Sequence, residues 1–122
     1  SLNKKMSERE FAYLLIKGLK RRNASIFYEW VPGSLYSLSS NCNLTSIKMA
    51  ELLLAATSHR VSKINEKDYF NILSDEKLIP DFMKQRLKNI KYLTKRDAFI
   101  ICGYFLKKYK PDEKLLFYRG EK

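Results

Sequence analysis

Lysine and arginine side chains at helical spacing carry the most distinctive chemistry of this sequence. Lys84, Lys88, Lys91 and Lys95 recur at i, i+4, i+7 and i+11, and Arg96 follows directly. On one helix this spacing places the four lysines along a single face. A row of cations suits contacts with phosphates, which are individually non-specific and weaken as salt rises. These five residues are therefore the first predicted nucleic-acid-binding set.

A second basic cluster closes the first predicted helix and is the second predicted set. Positive side chains in a last helical turn also complement the helix dipole, so part of this cluster needs no ligand. Its members are Lys17, Lys20, Arg21 and Arg22.

Polar side chains interleave with the first basic set. Gln85, Arg86 and Asn89 could reach base edges if their helix entered a major groove. The alternative interpretation is a solvated lysine face above a buried apolar stripe. Sequence alone leaves both interpretations open.

Catalytic chemistry has little support in the sequence. The single histidine, His59, lies between Ser58 and Arg60 with no carboxylate at an obvious helical spacing, whereas a general base needs an orienting partner. It is interpreted as an exposed loop histidine. Cys102 lies among apolar residues and is expected to be a buried, inert thiol, while Cys42 falls in a polar loop.

Binding loops and metal sites are also not indicated. The four glycines are isolated, so no glycine-rich phosphate loop is present. The acids are scattered near helix starts, and no set of zinc or calcium ligands is spaced for binding. We therefore expect a non-enzymatic protein with no catalytic residues, no metal and no cofactor.

Hydrophobic periodicity predicts the first three helices. Ser7 and Glu10 have capping-box spacing, and a helix follows that closes at Arg22 and Asn23. Thr45 is a suitable N-cap for a helix over residues 45–57 that is apolar almost all round, which predicts a central, buried position. A short helix is predicted over 66–73.

Two further helices are predicted after residue 79. Pro80 suits the first turn of a helix over 80–92, whose apolar stripe is Phe82, Met83, Leu87 and Ile90. Thr94 and Asp97 resemble a second helix start. The segment 98–108 is again apolar almost all round, and we expect it to be central as well.

The predicted fold is a mainly α, compact bundle of four to five helices with two buried central helices. Residues 25–31 are rich in β-branched and aromatic types and could pair with residues 114–119 as an accessory two-stranded element. No internal repeat is recognised. The 122 residues are expected to form one domain, with Ser1-Leu2 interpreted as a cloning remnant.

Composition sets the remaining expectations. Twenty-four Lys and Arg against thirteen Asp and Glu give a net charge of +11, which favours a polyanionic partner. No apolar run is long enough to span a bilayer, and the charged start has no signal-peptide character. Two cysteines form no disulfide framework, so a cytoplasmic location is expected.

Two functional hypotheses follow from these features. The first is a small basic regulatory or accessory protein, for example in transcription regulation, that binds DNA or RNA through its lysine-rich helix faces. The alternative is a protein-interaction module, an adaptor or inhibitor, that binds an acidic partner through anchors such as Trp30 or Tyr36. The oligomeric state is not predicted.

Overall fold

The computed structural model describes residues 1–19 and 41–109, and five α-helices form within them. They are α1 (Glu8–Gly18), α2 (Ser46–Ala56), α3 (Tyr69–Asp75), α4 (Asp81–Asn89) and α5 (Lys95–Lys108). Two 3₁₀ turns, Val61–Lys63 and Glu66–Asp68, precede α3. The prediction of a mainly helical fold with four to five helices is confirmed.

Extended pairing in the described part of the chain is limited to three isolated antiparallel bridges. The predicted strand pair, 25–31 with 114–119, lies outside residues 1–19 and 41–109, so the structure gives it no support. None of the helices in those residues combines the length and the apolar character needed to cross a membrane.

Three helices begin in the same way, each capped by a hydroxyl side chain. Ser7, Thr45 and Thr94 precede α1, α2 and α5 and accept the backbone N–H three residues ahead, at 3.1, 3.0 and 3.2 Å. Such a cap typically stabilises a helix by about 1 kcal/mol, because it satisfies one of the unpaired N–H groups of the first turn. The three predicted helix starts are confirmed.

The predicted capping box at Ser7 is only half formed. The Glu10 carboxylate lies 3.6 Å from Lys95 Nζ on α5, so an interhelical ion pair takes the place of the return bond to Ser7. The complete box occurs at α5, where Asp97 Oδ2 accepts the Thr94 N–H at 3.4 Å.

The predicted end of α1 at Arg22 and Asn23 is wrong, since the helix ends at Gly18. A Cβ at Gly18 would overlap the Leu106 side chain of α5. This glycine therefore lets α1 pack closely against α5 near their C-terminal turns.

The residues before the three caps form a closed ring of backbone hydrogen bonds. Met6 donates to Leu93 at 3.2 Å, Leu93 donates to Leu44 at 3.0 Å, and Leu44 donates to Met6 at 2.6 Å. All three side chains are fully buried. We call Met6, Leu44 and Leu93 the N-cap ring.

A second set of three bonds surrounds the N-cap ring and ties each helix start to the segment before another helix. In α1, α2 and α5, the backbone N–H of the first helical residue donates to a carbonyl in another segment. That carbonyl belongs to the residue two positions before Leu44, Leu93 or Met6. The pairs are Glu8 to Cys42 at 3.0 Å, Ser46 to Lys91 at 2.9 Å and Lys95 to Lys4 at 2.7 Å. The arrangement has approximate threefold symmetry. Sequence analysis missed this repeat because its unit is only an apolar residue followed by Ser or Thr.

The core is built around α2, as predicted. Eight of its eleven residues are buried, and it packs against α1 and α3. The expectation of a second central helix is wrong, because α5 leaves Phe99 44% and Ile100 41% exposed. Only one face of α5, centred on Ile101 and Phe105, is fully buried.

The fourth helix is shorter than predicted. It ends at Asn89, and Ile90 already has extended dihedrals (φ −113°, ψ 151°). The chain must extend here because Leu93 belongs to the N-cap ring and Lys91 accepts the Ser46 N–H. Phe82, expected in the apolar stripe, is 71% exposed, whereas Met83 and Leu87 are buried as predicted.

Two helices end on a non-glycine residue in the left-handed backbone region. Ser58 (φ 68°) follows α2, and Lys77 (φ 59°) follows α3. After α3, Lys77 donates to Ser74 at 3.0 Å and Leu78 donates to Leu73 at 2.8 Å. This is a Schellman end, in which glycine is preferred because a Cβ is disfavoured at positive φ.

The substitution Lys77→Gly is expected to raise the free energy of unfolding by about 0.5–1 kcal/mol, since it removes the cost of a Cβ at positive φ. Urea denaturation at neutral pH measures the change. Lys77→Ala is the control: it removes the exposed Lys77–Asp81 ion pair at 3.5 Å but keeps a Cβ. It should stay within about 0.5 kcal/mol of the wild type. A glycine variant no more stable than the alanine variant would contradict the argument.

Candidate nucleic-acid interface

The structure divides the first predicted set among three elements. Lys84 and Lys88 lie on α4, Lys91 lies in the extended connection, and Lys95 and Arg96 lie in the first turn of α5. The prediction of one continuous helical line is therefore wrong. Of the second predicted set, only Lys17 lies within the described residues, where it is exposed near the end of α1. The others (Lys20, Arg21 and Arg22) lie outside, as do Trp30 and Tyr36.

An open cleft of about 510 Å³ separates the end of α4 from the start of α2. Lys88 and Lys91 both line it, so the fold brings these two cations together even though α4 ends between them. The other lining residues are Thr45, Ser46, Ile47, Asn89 and Ile90. We call this space the α2–α4 cleft.

The wall formed by α2 favours negative charge. The first turn of α2 contains no acidic residue, whereas α1, α4 and α5 each carry a carboxylate there. A helix N-terminus has the electrostatic effect of roughly half a positive charge. At α2 no carboxylate of the first turn offsets that charge, and Lys88 and Lys91 add to it across the cleft.

Tyr92 joins a third lysine to this surface. Lys5 Nζ lies 4.9 Å and Lys91 Nζ 5.3 Å from the centroid of the partly buried Tyr92 ring. Lys5 comes from the N-terminal segment, which pairs with Thr94 through an antiparallel bridge. Sequence reasoning missed Lys5 and Tyr92 because only the N-cap ring brings residues so distant in sequence together.

The lysines differ in what they contact. Lys88 Nζ is 3.1 Å from Asn71 Oδ1, a neutral partner that leaves its charge uncompensated. Lys95 is paired with Glu10. Among residues 1–19 and 41–109, no carboxylate lies within 4.0 Å of the ammonium groups of Lys5, Lys84, Lys88 or Lys91. We call these four lysines the basic patch.

Arg86 is engaged in an ion pair and is therefore not placed to read bases. Its Nε and Nη2 donate to Asp97 Oδ1 and Oδ2 at 3.0 and 2.8 Å, a two-pronged pair. Asp97 is 5% exposed. Burial alone would raise its pKa, but hydrogen bonds from Arg86 and Thr94 outweigh burial and lower the pKa. The pair fixes α4 to the start of α5.

His59 is only partly exposed and has a carboxylate partner, which corrects its interpretation as an exposed loop histidine. Its Nε2 lies 2.8 Å from Glu76 Oε2, and its Nδ1 lies 2.8 Å from Thr57 Oγ1. The Thr57 hydroxyl also contacts the Leu53 and Leu54 carbonyls at 3.0 Å. The imidazole thus links the end of α2 to the end of α3.

Three groups with raised pKa values lie in the helical core or at its edge. Burial raises the pKa of Glu51, and Glu66 and Glu8 add to the effect while Lys48 opposes it. Burial and the nearby Glu51 raise the pKa of Tyr69. Burial raises the pKa of the Cys102 thiol to about 11, as expected for an inert cysteine.

Comparisons of this chain with protein-family models, with curated proteins and with solved structures found no match.

The substitution Arg86→Met should lower the free energy of unfolding by about 2–3 kcal/mol, because it leaves the buried Asp97 carboxylate without its charged donor. Since folding lowers the pKa of Asp97, the stabilisation is present above its ordinary value near 3.8 and is lost as the pH falls through the folded-state pKa. Urea denaturation at pH 7 and at acidic pH measures both effects.

Lys88→Met is the matched control for Arg86→Met, because it removes a cation from the same helix that pairs with no carboxylate of the described residues. It should change stability by less than about 0.5 kcal/mol. Equal losses of unfolding free energy in the two variants would show that the Arg86–Asp97 ion pair does not stabilise the fold more than Lys88 does.

In a Cys42→Ser variant, the remaining Cys102 thiol should resist alkylation at pH 8 in the folded protein, because its pKa near 11 leaves almost no thiolate and its side chain is buried. Mass spectrometry after iodoacetamide treatment measures the labelled fraction, with the same protein in urea as the reactive control. Labelling of the folded protein at the urea rate would contradict the buried assignment.

Proposed function

We propose that this chain is a small non-enzymatic nucleic-acid-binding protein with a regulatory or accessory role, which contacts phosphates through the basic patch. The observation that carries the proposal is the convergence of Lys88 and Lys91 in the α2–α4 cleft, with Lys5 joined to them across Tyr92. These cations come from three separate segments of the chain. Their proximity is a property of the fold and goes beyond the overall charge of the composition.

The chemistry of the basic patch suits a phosphate backbone. Lysine is a compact point charge on a flexible stem and binds phosphate without the fixed fork geometry of arginine. Contacts of this kind give affinity with little sequence information. The net charge of +11 adds long-range attraction that speeds encounter at low salt.

An acidic protein partner is the second candidate. Its predicted anchors, Trp30 and Tyr36, lie outside the described residues, but α5 exposes Phe99 and Ile100, which are neighbours in the sequence. Exposed aromatic and aliphatic residues of this kind can anchor a protein interface. Capture of an acidic protein that survives nuclease digestion and is lost in a Phe99→Ala variant would favour this candidate.

The double variant Lys88→Glu/Lys91→Glu should weaken nucleic-acid binding by roughly tenfold or more, because it replaces two phosphate contacts with repulsion. The measurement is fluorescence anisotropy with a labelled oligonucleotide between about 50 and about 200 mM salt. The slope of log affinity against log salt should fall by about 1.5, since each phosphate contact contributes about 0.7–0.9.

The variant Lys63→Glu/Lys67→Glu is the matched control, because it makes the same change in net charge at two exposed lysines in the 3₁₀ turns before α3. Its affinity should stay within about threefold of the wild type, given screening of distant surface charges. Equal losses of affinity in both double variants would show that binding depends on net charge and not on the basic patch. A wild type that binds no nucleic acid at low salt would refute the function.

A further inference from the structure

Tyr92 lies at the centre of the cations that the fold brings together. Two ammonium groups approach the same ring, from Lys5 at 4.9 Å and from Lys91 at 5.3 Å. Lys91 also lines the α2–α4 cleft, so this lysine connects the Tyr92 ring to the space where phosphates are proposed to bind. Tyr92 is only partly buried.

The Tyr92 ring can receive the base of a nucleotide, and the two lysines beside it can receive the phosphate. A nucleobase stacks on an aromatic side chain, and this stacking is worth more than the cation–π contact of an exposed lysine. A lysine displaced from the ring by a base has a phosphate of the same strand as its new partner. Binding of a strand therefore replaces one weak lysine–Tyr92 contact with a base stacked on Tyr92 and a lysine–phosphate ion pair.

The distribution of the cations is a poor match to the major groove of a duplex. Groove-reading proteins present several side chains from one helix that enters the groove. Here the patch is divided among α4, the extended connection and the N-terminal segment, and Arg86, the arginine of α4, is held by Asp97. A base paired and stacked inside a duplex also cannot reach Tyr92 without being extruded.

We infer that the basic patch binds single-stranded nucleic acid in preference to duplex, with one unpaired base stacked on Tyr92 and its neighbouring phosphates held by Lys5, Lys88 and Lys91. This inference rests on the proposed function and names its substrate class. Either DNA or RNA supplies the required chemistry, because every base has a π-face.

The test compares labelled 12-residue strands of three kinds with the folded protein: deoxythymidine, uridine, and an abasic phosphodiester strand that has the same charge without bases. A complementary duplex of the same length is the fourth ligand. The wild type should bind the thymidine or uridine strand roughly five- to a hundredfold more tightly than the abasic strand, the factor that one stacked base contributes. The duplex should bind less tightly than the base-containing strand.

Two variants assign the effect to the ring. Tyr92→Leu should remove the preference, so that the base-containing strand and the abasic strand bind this variant with equal affinity. Tyr92→Phe keeps the ring and should retain the preference, and circular dichroism confirms that each variant is folded. A preference for either base-containing strand over the abasic strand supports the inference, because stacking needs only the π-face of a base.

The possible failures separate the two proposals. Equal affinity for base-containing and abasic strands, tighter binding of duplex, or a preference unchanged in Tyr92→Leu would overturn this inference while leaving phosphate binding intact. If neither the abasic strand nor any other ligand binds at low salt, the proposed function itself fails.

Discussion

The N-cap ring is the constraint on which the rest of the described structure depends. Three buried residues, Met6, Leu44 and Leu93, satisfy one another's backbone groups in a closed cycle, and three further bonds hold the first N–H of α1, α2 and α5. Buried backbone groups are costly when unpaired. Each of these hydrogen bonds contributes about 0.5–1.5 kcal/mol net. If one segment opened, backbone groups in both other segments would lose their hydrogen-bond partners. Three distant parts of the chain are therefore fixed together.

Local signals in the sequence are sufficient to predict where α1, α2 and α5 begin, whereas α3 begins at Tyr69 and not at residue 66 as predicted. Ser7, Thr45 and Thr94 were identified because a hydroxyl cap acts within one turn, and its effect can be judged from neighbouring residues. Burial of Met83, Leu87 and most of α2 also followed from periodicity. These features do not depend on which other segments pack nearby.

The failures occur where distant segments decide the outcome. Periodicity continued α4 to Tyr92, but the chain extends after Asn89 because Leu93 must reach Met6 and Leu44. For the same reason, only some residues of the proposed site could be predicted from the sequence. Lys84, Lys88 and Lys91 were identified, while Lys5 and Tyr92 became part of the surface only through the pairing of the N-terminal segment with the start of α5.

The N-cap ring also gives a physical origin for the charge of the proposed site. Joining three helix starts at one point gathers their positive dipole ends, which favours carboxylates nearby. Glu10 and Asp97 occupy the first turns of α1 and α5, and they also neutralise Lys95 and Arg86. The first turn of α2 has no such acid, and the lysines facing it are paired with no carboxylate of the described residues. Lys88 and Lys91 therefore line the α2–α4 cleft on the side of the N-cap ring where the first helical turn carries no acid.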